Sequence, residues 1–513
     1  MATSRGLEGV GSALNTVGGL DMTVTSAFAR MPETEALHQL TLGLEWSNGE
    51  NLQVWRPVQY LGSKLRSLGV IRAGVKELTE PGAHVVDAFS GSTVVSQALA
   101  ALPRTVTAVD TSAAAALWSR AVLGIGRDDV RSDPTDDLVG ALNAIYPTVD
   151  RLISERSAPW MRVLDEEDAA LASRDGRKLG TLTSRIPQVW RPEGATPAQK
   201  RLFAEWHTGA ENKELGASGF VTAVYSGTYF GLRQSVELEA LIAAAWDAFV
   251  DGKINAWQHA SVLTIVMHAA SAASYSPGKH FAQPHKLRPD KDLTFHRQRL
   301  LADRSVRILD RVHSAVQLLA SVVQQSSGLT TKHHLHHIVL HKPAEALTAE
   351  DLTNASLVYA DPPYTAQQYS RFYHVLDVLA EGRPQVLQTQ RQRKGMPSGE
   401  GASRGVTTGL YPTGRYLSDF CRASLAPIAF ERFFENVYSS GATLILSYSQ
   451  SVSGKTGNAR VIDLPTLLAS LRRFYGSRIE LMSVDLRYRQ FNAAASSLDA
   501  RDDREYLVVA YAA

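Results

Sequence analysis

The sequence has one cysteine, Cys421, in 513 residues, which excludes an intramolecular disulfide framework and a cysteine-cluster metal site. A reducing, cytoplasmic setting is the natural one for such a chain. It also lacks any run of eighteen uninterrupted apolar residues, so neither a membrane-spanning helix nor a membrane partner is expected. Charge of either sign is not in excess: 53 Lys and Arg stand against 51 Asp and Glu, a net charge of +2. Any basic binding surface must therefore be local and balanced by acidic regions elsewhere. No internal repeat recurs at a fixed period, which argues against a solenoid or propeller. Residues 1–30 are small and weakly apolar, but Glu8 and Asp21 interrupt them and no secretory pattern is present. Residues 1–50 read as a pendant N-terminal arm.

What is present is ordinary globular material, 44% hydrophobic and 20% charged, long enough for a large core with a second lobe or long insertion. Short apolar runs bounded by turn residues fall at residues 84–88, 105–109, 338–340, 357–360, 443–447 and 506–511. These predict buried strands alternating with helices, hence an α/β fold whose largely parallel sheet offers ligands the carboxyl ends of its strands. Strand signals thin out over residues 127–301, which predicts a largely helical insertion between the two parts of the sheet domain, 51–126 and 302–513. Leu238, Leu241, Ile242, Ala245, Trp246 and Phe249 share one helical face, and Ile308, Val312, Val316, Leu319 and Val323 repeat the pattern. Residues 383–413, rich in Gly, Pro, Ser, Gln and Arg, predict a mobile surface loop.

The most informative residues are Asp361, Pro362, Pro363 and Tyr364, directly after the strand at 357–360. An aromatic amine such as the N6 of adenine is a poor nucleophile, because its lone pair is delocalised into the ring. A carboxylate and a backbone carbonyl that accept its two hydrogens favour the tetrahedral, nucleophilic nitrogen. Asp361 and the Pro362 carbonyl supply that pair, and two prolines hold an extended turn without a competing amide hydrogen. Tyr364 adds a stacking face for an extruded base, worth on the order of 1–3 kcal/mol. An ordinary strand-end turn is the other account of the same residues.

Two further constellations stand upstream. In His84 to Ser96 an apolar strand ends in a glycine-containing turn before a helix, which lets backbone amides approach a nucleotide-like ligand. Asp110, after the next strand, is placed to bind ribose hydroxyls; a βαβ unit without a ligand is the alternative. Gln59 to Lys64 brings together an aromatic residue, Tyr60, a turn glycine, Gly62, and a cation, Lys64. Lys64 can meet a carboxylate such as that of a methionine moiety, or Ser63 can cap a helix beside a solvated Lys64.

Together and in this order, these elements resemble the Dam-like class of DNA N6-adenine methyltransferases, nearest to the modification methylases of type IIS restriction systems. The resemblance rests on Tyr60-Leu61-Gly62-Ser63-Lys64, Asp87-Ala88-Phe89-Ser90-Gly91, Asp361-Pro362-Pro363-Tyr364 and the continuation Gln368 to His374. Tyr229-Phe230 with Gln234, and Ser418-Asp419-Phe420, are weaker echoes. The resemblance spans most of the chain from Gln59 onward and leaves the arm unexplained. It implies a Rossmann-like seven-stranded methyltransferase sheet with S-adenosyl-L-methionine as cofactor. It also implies that Tyr60, Gly62, Lys64, Asp87, Phe89, Ser90 and Gly91 line the methionine end, that Asp110 takes the ribose, and that residues 361–364 hold the target amine. In one departure, Thr93 stands where the family commonly has a second glycine, and it is expected to crowd the cofactor loop.

Duplex DNA is the partner the resemblance implies, with a separately encoded restriction endonuclease as companion. Tyr369 and Arg371 are expected near the flipped nucleotide, off the apolar stripe of Phe372, Val375, Leu376 and Leu379. Lys279, Lys286, Arg288, Arg391 and Arg393 are candidate phosphate contacts, and Gln188, Lys200 and Arg201 candidate base readers. Histidines 333, 334, 336 and 337 precede a strand whose alternation splits them between faces, so solvated side chains rather than a metal site are expected. Methyl transfer from a sulfonium needs no metal, since the leaving group departs neutral. The rival readings are the same fold acting on RNA adenine, cytosine N4 or a protein amide, and a catalytically silent DNA-binding protein.

Overall fold

In a computed structural model of the chain, the described residues are 52–60, 62, 64–124, 133–189, 192–212, 220–285, 294–333, 335–382, 410, 416–449, 460–484 and 505–512. The arm of residues 1–50, Lys286, Arg288, Arg391 and Arg393 lie outside them, as does the 383–413 segment apart from Leu410.

The apolar runs form β1 (His84–Asp87), β2 (Thr105–Asp110), β3 (Ile338–His341), β4 (Ala355–Ala360), β5 (Thr443–Ser449) and β7 (Glu505–Ala510). A further strand, β6 (Ile479–Val484), completes a seven-stranded sheet in the order β3-β2-β1-β4-β5-β7-β6. The first five are mutually parallel, and β7 runs antiparallel to both β5 and β6, so the sheet is mixed. From β1 the chain moves outward through β2 to β3, then restarts at β4 on the other side of β1. The carboxyl ends of β1 and β4 therefore flank a topological switch point, where an open α/β sheet leaves a crevice for a ligand.

Helices α1 (Leu68–Leu78), α2 (Val94–Ala100) and α3 (Ala113–Leu123) accompany the first strands. Between β2 and β3 come α4 (Pro134–Ser157), α5 (Met161–Ala172), α6 (Gly176–Arg185), α7 (Pro197–Asn212), α8 (Phe220–Tyr225), α9 (Leu232–Val250), α10 (Ala256–Ala273), α11 (Thr294–Arg304) and α12 (Ile308–His333). Then follow α13 (Ser370–Glu381), α14 (Ala426–Ser439) and α15 (Leu464–Tyr475). Several helix starts carry side-chain caps. Ser112 accepts from the Ala115 amide at α3, and Asn255 with Gln258 forms a reciprocal capping box at α10.

Ile308, Val312, Val316, Leu319 and Val323 are all buried, each contributing roughly 1.5–3 kcal/mol of transfer free energy. α9 is buried well beyond one stripe, since Ser235, Glu237 and Glu239 are inside as well. α10 braces the segment before the sheet and the helix after β2. Its Trp257 indole donates to the Ala121 carbonyl at 3.1 Å, and its His268 Nδ1 donates to the Pro57 carbonyl at 2.8 Å.

Two expectations need correction. His337 is not solvated: it is buried, its Nδ1 accepts from the Val106 amide at 3.1 Å, and burial pushes its pKa down to about 4. A neutral imidazole thereby satisfies a backbone donor at the start of β2. Gln188 is fully buried and its amide donates to the Ser226 carbonyl, so it is a packing residue and not a base reader.

Candidate active site

The Asp361 carboxylate follows directly on β4, and the Asp87 and Asp110 carboxylates end β1 and β2, so three acids converge at the carboxyl edge of adjacent strands. The Asp87 carboxyl is raised to about 7, chiefly by burial; the Ser96 hydroxyl, 2.6 Å from Oδ2, holds it down, and Asp361 and Asp110 add to the rise. Its Oδ1 is buried with no hydrogen-bond partner of ordinary geometry among the described residues, the Phe89 amide adding only a small lowering pull on the carboxylate. An orphaned acceptor of this kind, in a side chain with no exposure, costs stability unless a donor reaches it. Asp110 is raised by burial too, and it accepts from the Gly91 and Ser112 amides, each at 2.8 Å.

Gly91 has φ +46°, and a Cβ there would meet the Tyr60 ring at 3.0 Å, so glycine is required both by the backbone and by the ring above it. Tyr60 stacks on Tyr373 with centroids 4.5 Å apart and planes 7° from parallel, and it lies 5.9 Å from Tyr369. A Cβ on Gly62, φ +74°, would come within 3.0 Å of the Tyr369 hydroxyl. Tyr60, Gly62, Gly91 and Tyr369 thus form one wall beside the acids. Tyr373 belongs to that wall as a buried stacking partner. Ser90 lies under the turn, its hydroxyl 3.3 Å from that of Ser119. Phe89 turns away, packing edge-on between Phe420 and Phe433.

Thr93 is the one non-glycine residue of this turn in the left-handed region, at φ 68°. It does not crowd the loop. Its side chain is fully buried and its hydroxyl accepts from Gln97 Nε2 at 2.7 Å, while the same Gln97 bonds the Trp55 amide and carbonyl. The side chain ties the turn to the 52–58 segment and offsets the strain of a β-branched residue at positive φ. Thr93→Gly is therefore expected to be more stable than Thr93→Ala by about 1 kcal/mol, although it deletes more atoms. Urea unfolding of the two variants decides it: alanine as the more stable of the pair removes the strain.

Lys64 is buried, and the carboxylates it meets are the protein's own: Asp361 Oδ1 at 3.0 Å and Glu505 Oε1 at 2.7 Å. Burial lifts Asp361 to about 6 against the lowering pull of Lys64, with Glu505 adding to the rise. No protein donor among the described residues engages the Pro362 carbonyl. The Tyr364 ring lies edge-on to Tyr448, with the Arg460 guanidinium 4.4 Å from its centroid. Val461 donates to the Tyr364 carbonyl at 3.0 Å, and Gln368 exchanges two hydrogen bonds with the backbone of Ser418, which fixes the chain leaving the turn. Arg371 is exposed on the first turn of α13.

Among the other candidate DNA contacts, Lys200 and Arg201 are exposed. Lys279 is not available to a phosphate: it pairs with Asp303 at 2.7 Å and donates to the Ala272 and Ser274 carbonyls. Among the described residues no group of three or more His, Cys, Asp or Glu is arranged to hold a metal ion. No helix among them is long and apolar enough to cross a membrane.

Sequence reasoning missed Glu505, Arg460 and Asp377. Asp377, on α13, accepts from the Ser112 hydroxyl at 2.5 Å and the Ala114 amide at 3.1 Å, and burial lifts it to about 6. A lone acid inside an otherwise apolar helix face was its visible signal. No protein-family model matches this chain, and no curated protein matches it either.

Proposed function

We propose that the chain is an S-adenosylmethionine-dependent DNA methyltransferase that methylates the N6 amine of adenine in duplex DNA. The observation that carries this reading is the Lys64-bound Asp361 at the head of an Asp-Pro-Pro-Tyr turn, across the switch point from Asp87, Gly91 and Asp110. The seven-stranded sheet supports it at the level of fold, since the resemblance implies a sheet of that size with its ligands at this edge.

The residues present fit the cofactor. The Oδ1 of Asp87, unpartnered among the described residues, suits an ammonium such as that of a methionine moiety, and Asp110 retains lone pairs for ribose hydroxyls. S-adenosylmethionine, when bound, supplies an electrophilic methyl group on a sulfonium. Asp361 and the Pro362 carbonyl accept the two hydrogens of the adenine amine and keep its lone pair free to attack. Tyr364 stacks on the extruded base, its ring held by the Arg460 guanidinium 4.4 Å from the centroid. Asp361 then receives the proton that the alkylated nitrogen sheds. Lys64 keeps that carboxylate ionised and aimed, and Tyr60 and Tyr373 shut water from one side.

Acceptor profiling tests the reading. Label from methyl-labelled S-adenosylmethionine is expected in duplex DNA containing adenine. Label in RNA or at cytosine N4 would replace the acceptor, and duplex binding without cofactor binding would favour a silent DNA-binding protein.

A further inference from the structure

Glu505 opens β7 with its side chain fully buried, an unusual place for an acid at the head of an apolar strand. Its Oε1 is 2.7 Å from Lys64 Nζ, and the Ser447 hydroxyl on the neighbouring strand β5 donates to the same oxygen. Lys64 Nζ also reaches Asp361 Oδ1 at 3.0 Å, so one buried ammonium is shared between two carboxylates. A simple buried ion pair needs only one of them. The second gives Lys64 a further carboxylate in a desolvated place, where neighbouring charges act strongly on one another.

We propose that Glu505 is a positioning residue that sets the base strength of Asp361 through Lys64. This deepens the methyltransferase reading and rests on it. By drawing part of the ammonium's charge to itself, Glu505 leaves Asp361 less neutralised and more basic. During transfer the amine lone pair forms the N–CH3 bond while the S–CH3 bond breaks, its electron pair staying on a now neutral sulfur. The nitrogen is left with a positive charge and a surplus proton. That N–H bond then breaks, its electrons return to nitrogen, and the proton joins the Asp361 carboxylate. The step moves no proton to or from Lys64 or Glu505. A more basic Asp361 takes the proton more readily. Among the described residues, the charged and titratable groups facing Asp361 are Lys64 and Glu505, Asp87 from β1, Tyr359 from β4, and Tyr364 and Tyr369 from the following turn; Arg460 faces Tyr364 from beyond. Lys64 and Glu505 are the two that the coupling invokes.

The test is Glu505→Gln in the full chain, which keeps the shape and can still accept from Ser447 and Lys64 but carries no charge. Two readouts are compared with the intact protein. One is the titration of the Asp361 carboxyl carbon by NMR, assigned through its loss in Asp361→Asn. The other is kcat for methyl transfer against pH. The Asp361 midpoint and the acid limb of kcat are both expected to move to lower pH, with plateau kcat down roughly 3- to 10-fold and cofactor affinity unchanged. A midpoint and limb that stay where they are overturn the proposal, as does a loss confined to cofactor affinity. If glutamine prevents folding, Glu505→Asp keeps the charge but withdraws it from Lys64, and a smaller shift in the same direction is expected. Should the intact protein transfer no methyl group, the reaction reading fails, while the NMR titration still judges the coupling by itself.

Discussion

Asp361→Ala is expected to lower methyl transfer by at least about 10²–10³-fold, because it removes an acceptor that acts most strongly as charge develops on the amine nitrogen. Cofactor binding should survive, since Asp87 and Asp110 end other strands and Gly91 lies in the turn after β1. The same site makes an opposite statement about stability. The carboxyl of Asp361 is lifted to about 6 by burial, above its usual 3.8. An acid raised in the folded state favours folding while protonated, so its benefit is present below about pH 4 and is lost as pH climbs through 6. Asp361→Asn, which keeps the shape without the charge, should therefore be at least as stable as the parent at pH 8, though inactive. Thermal unfolding of parent and variant at pH 4 and pH 8 measures this. A variant markedly less stable at pH 8 would mean that the Lys64 pair outweighs the desolvation of the carboxylate.

Asp87 carries the second large effect. With its carboxyl held near 7 and Oδ1 unpartnered, part of the population is protonated at neutral pH. A cation bound against it favours the ionised form, so S-adenosylmethionine binding is expected to release a proton and to tighten as pH rises through about 7. Asp87→Asn should weaken cofactor binding roughly 10- to 100-fold at pH 8, the worth of one charge-assisted hydrogen bond of about 1.5–3 kcal/mol, and abolish the pH dependence. Calorimetry in buffers of different ionisation enthalpy reads both the affinity and the proton. Affinity that is flat from pH 6 to 8 in the parent places the ammonium elsewhere.

Much of this arrangement was legible in the residues. Apolar runs capped by Asp87, Asp110 and Asp361 mark strand ends, and the separation of those ends in sequence is what a switch point produces. β6 was not legible, because a strand at the sheet edge with Leu481 and Met482 largely exposed has no buried face to impose a period. Glu505 was missed for a related reason. The apolar run suggested a strand beginning at Tyr506, and the acid one residue earlier reads as a flank until Lys64, more than four hundred residues away, is placed against it. Lys64 itself was read as a cation awaiting a carboxylate, and only the folded chain shows that two protein carboxylates reach it. Lys279 and His337 teach the opposite lesson. Polar residues that look like surface groups in sequence were drawn inside to satisfy Asp303 and the Val106 amide, a demand that is invisible without the neighbours.

The most direct measurement is to incubate the full chain with methyl-labelled S-adenosylmethionine and unmethylated duplex DNA, digest the DNA, and identify the labelled nucleoside by mass spectrometry beside an Asp361→Ala control. N6-methyladenine from the intact protein and none from the control is the expected result. A folded protein that binds the cofactor yet leaves adenine unlabelled in every duplex sequence offered would contradict it.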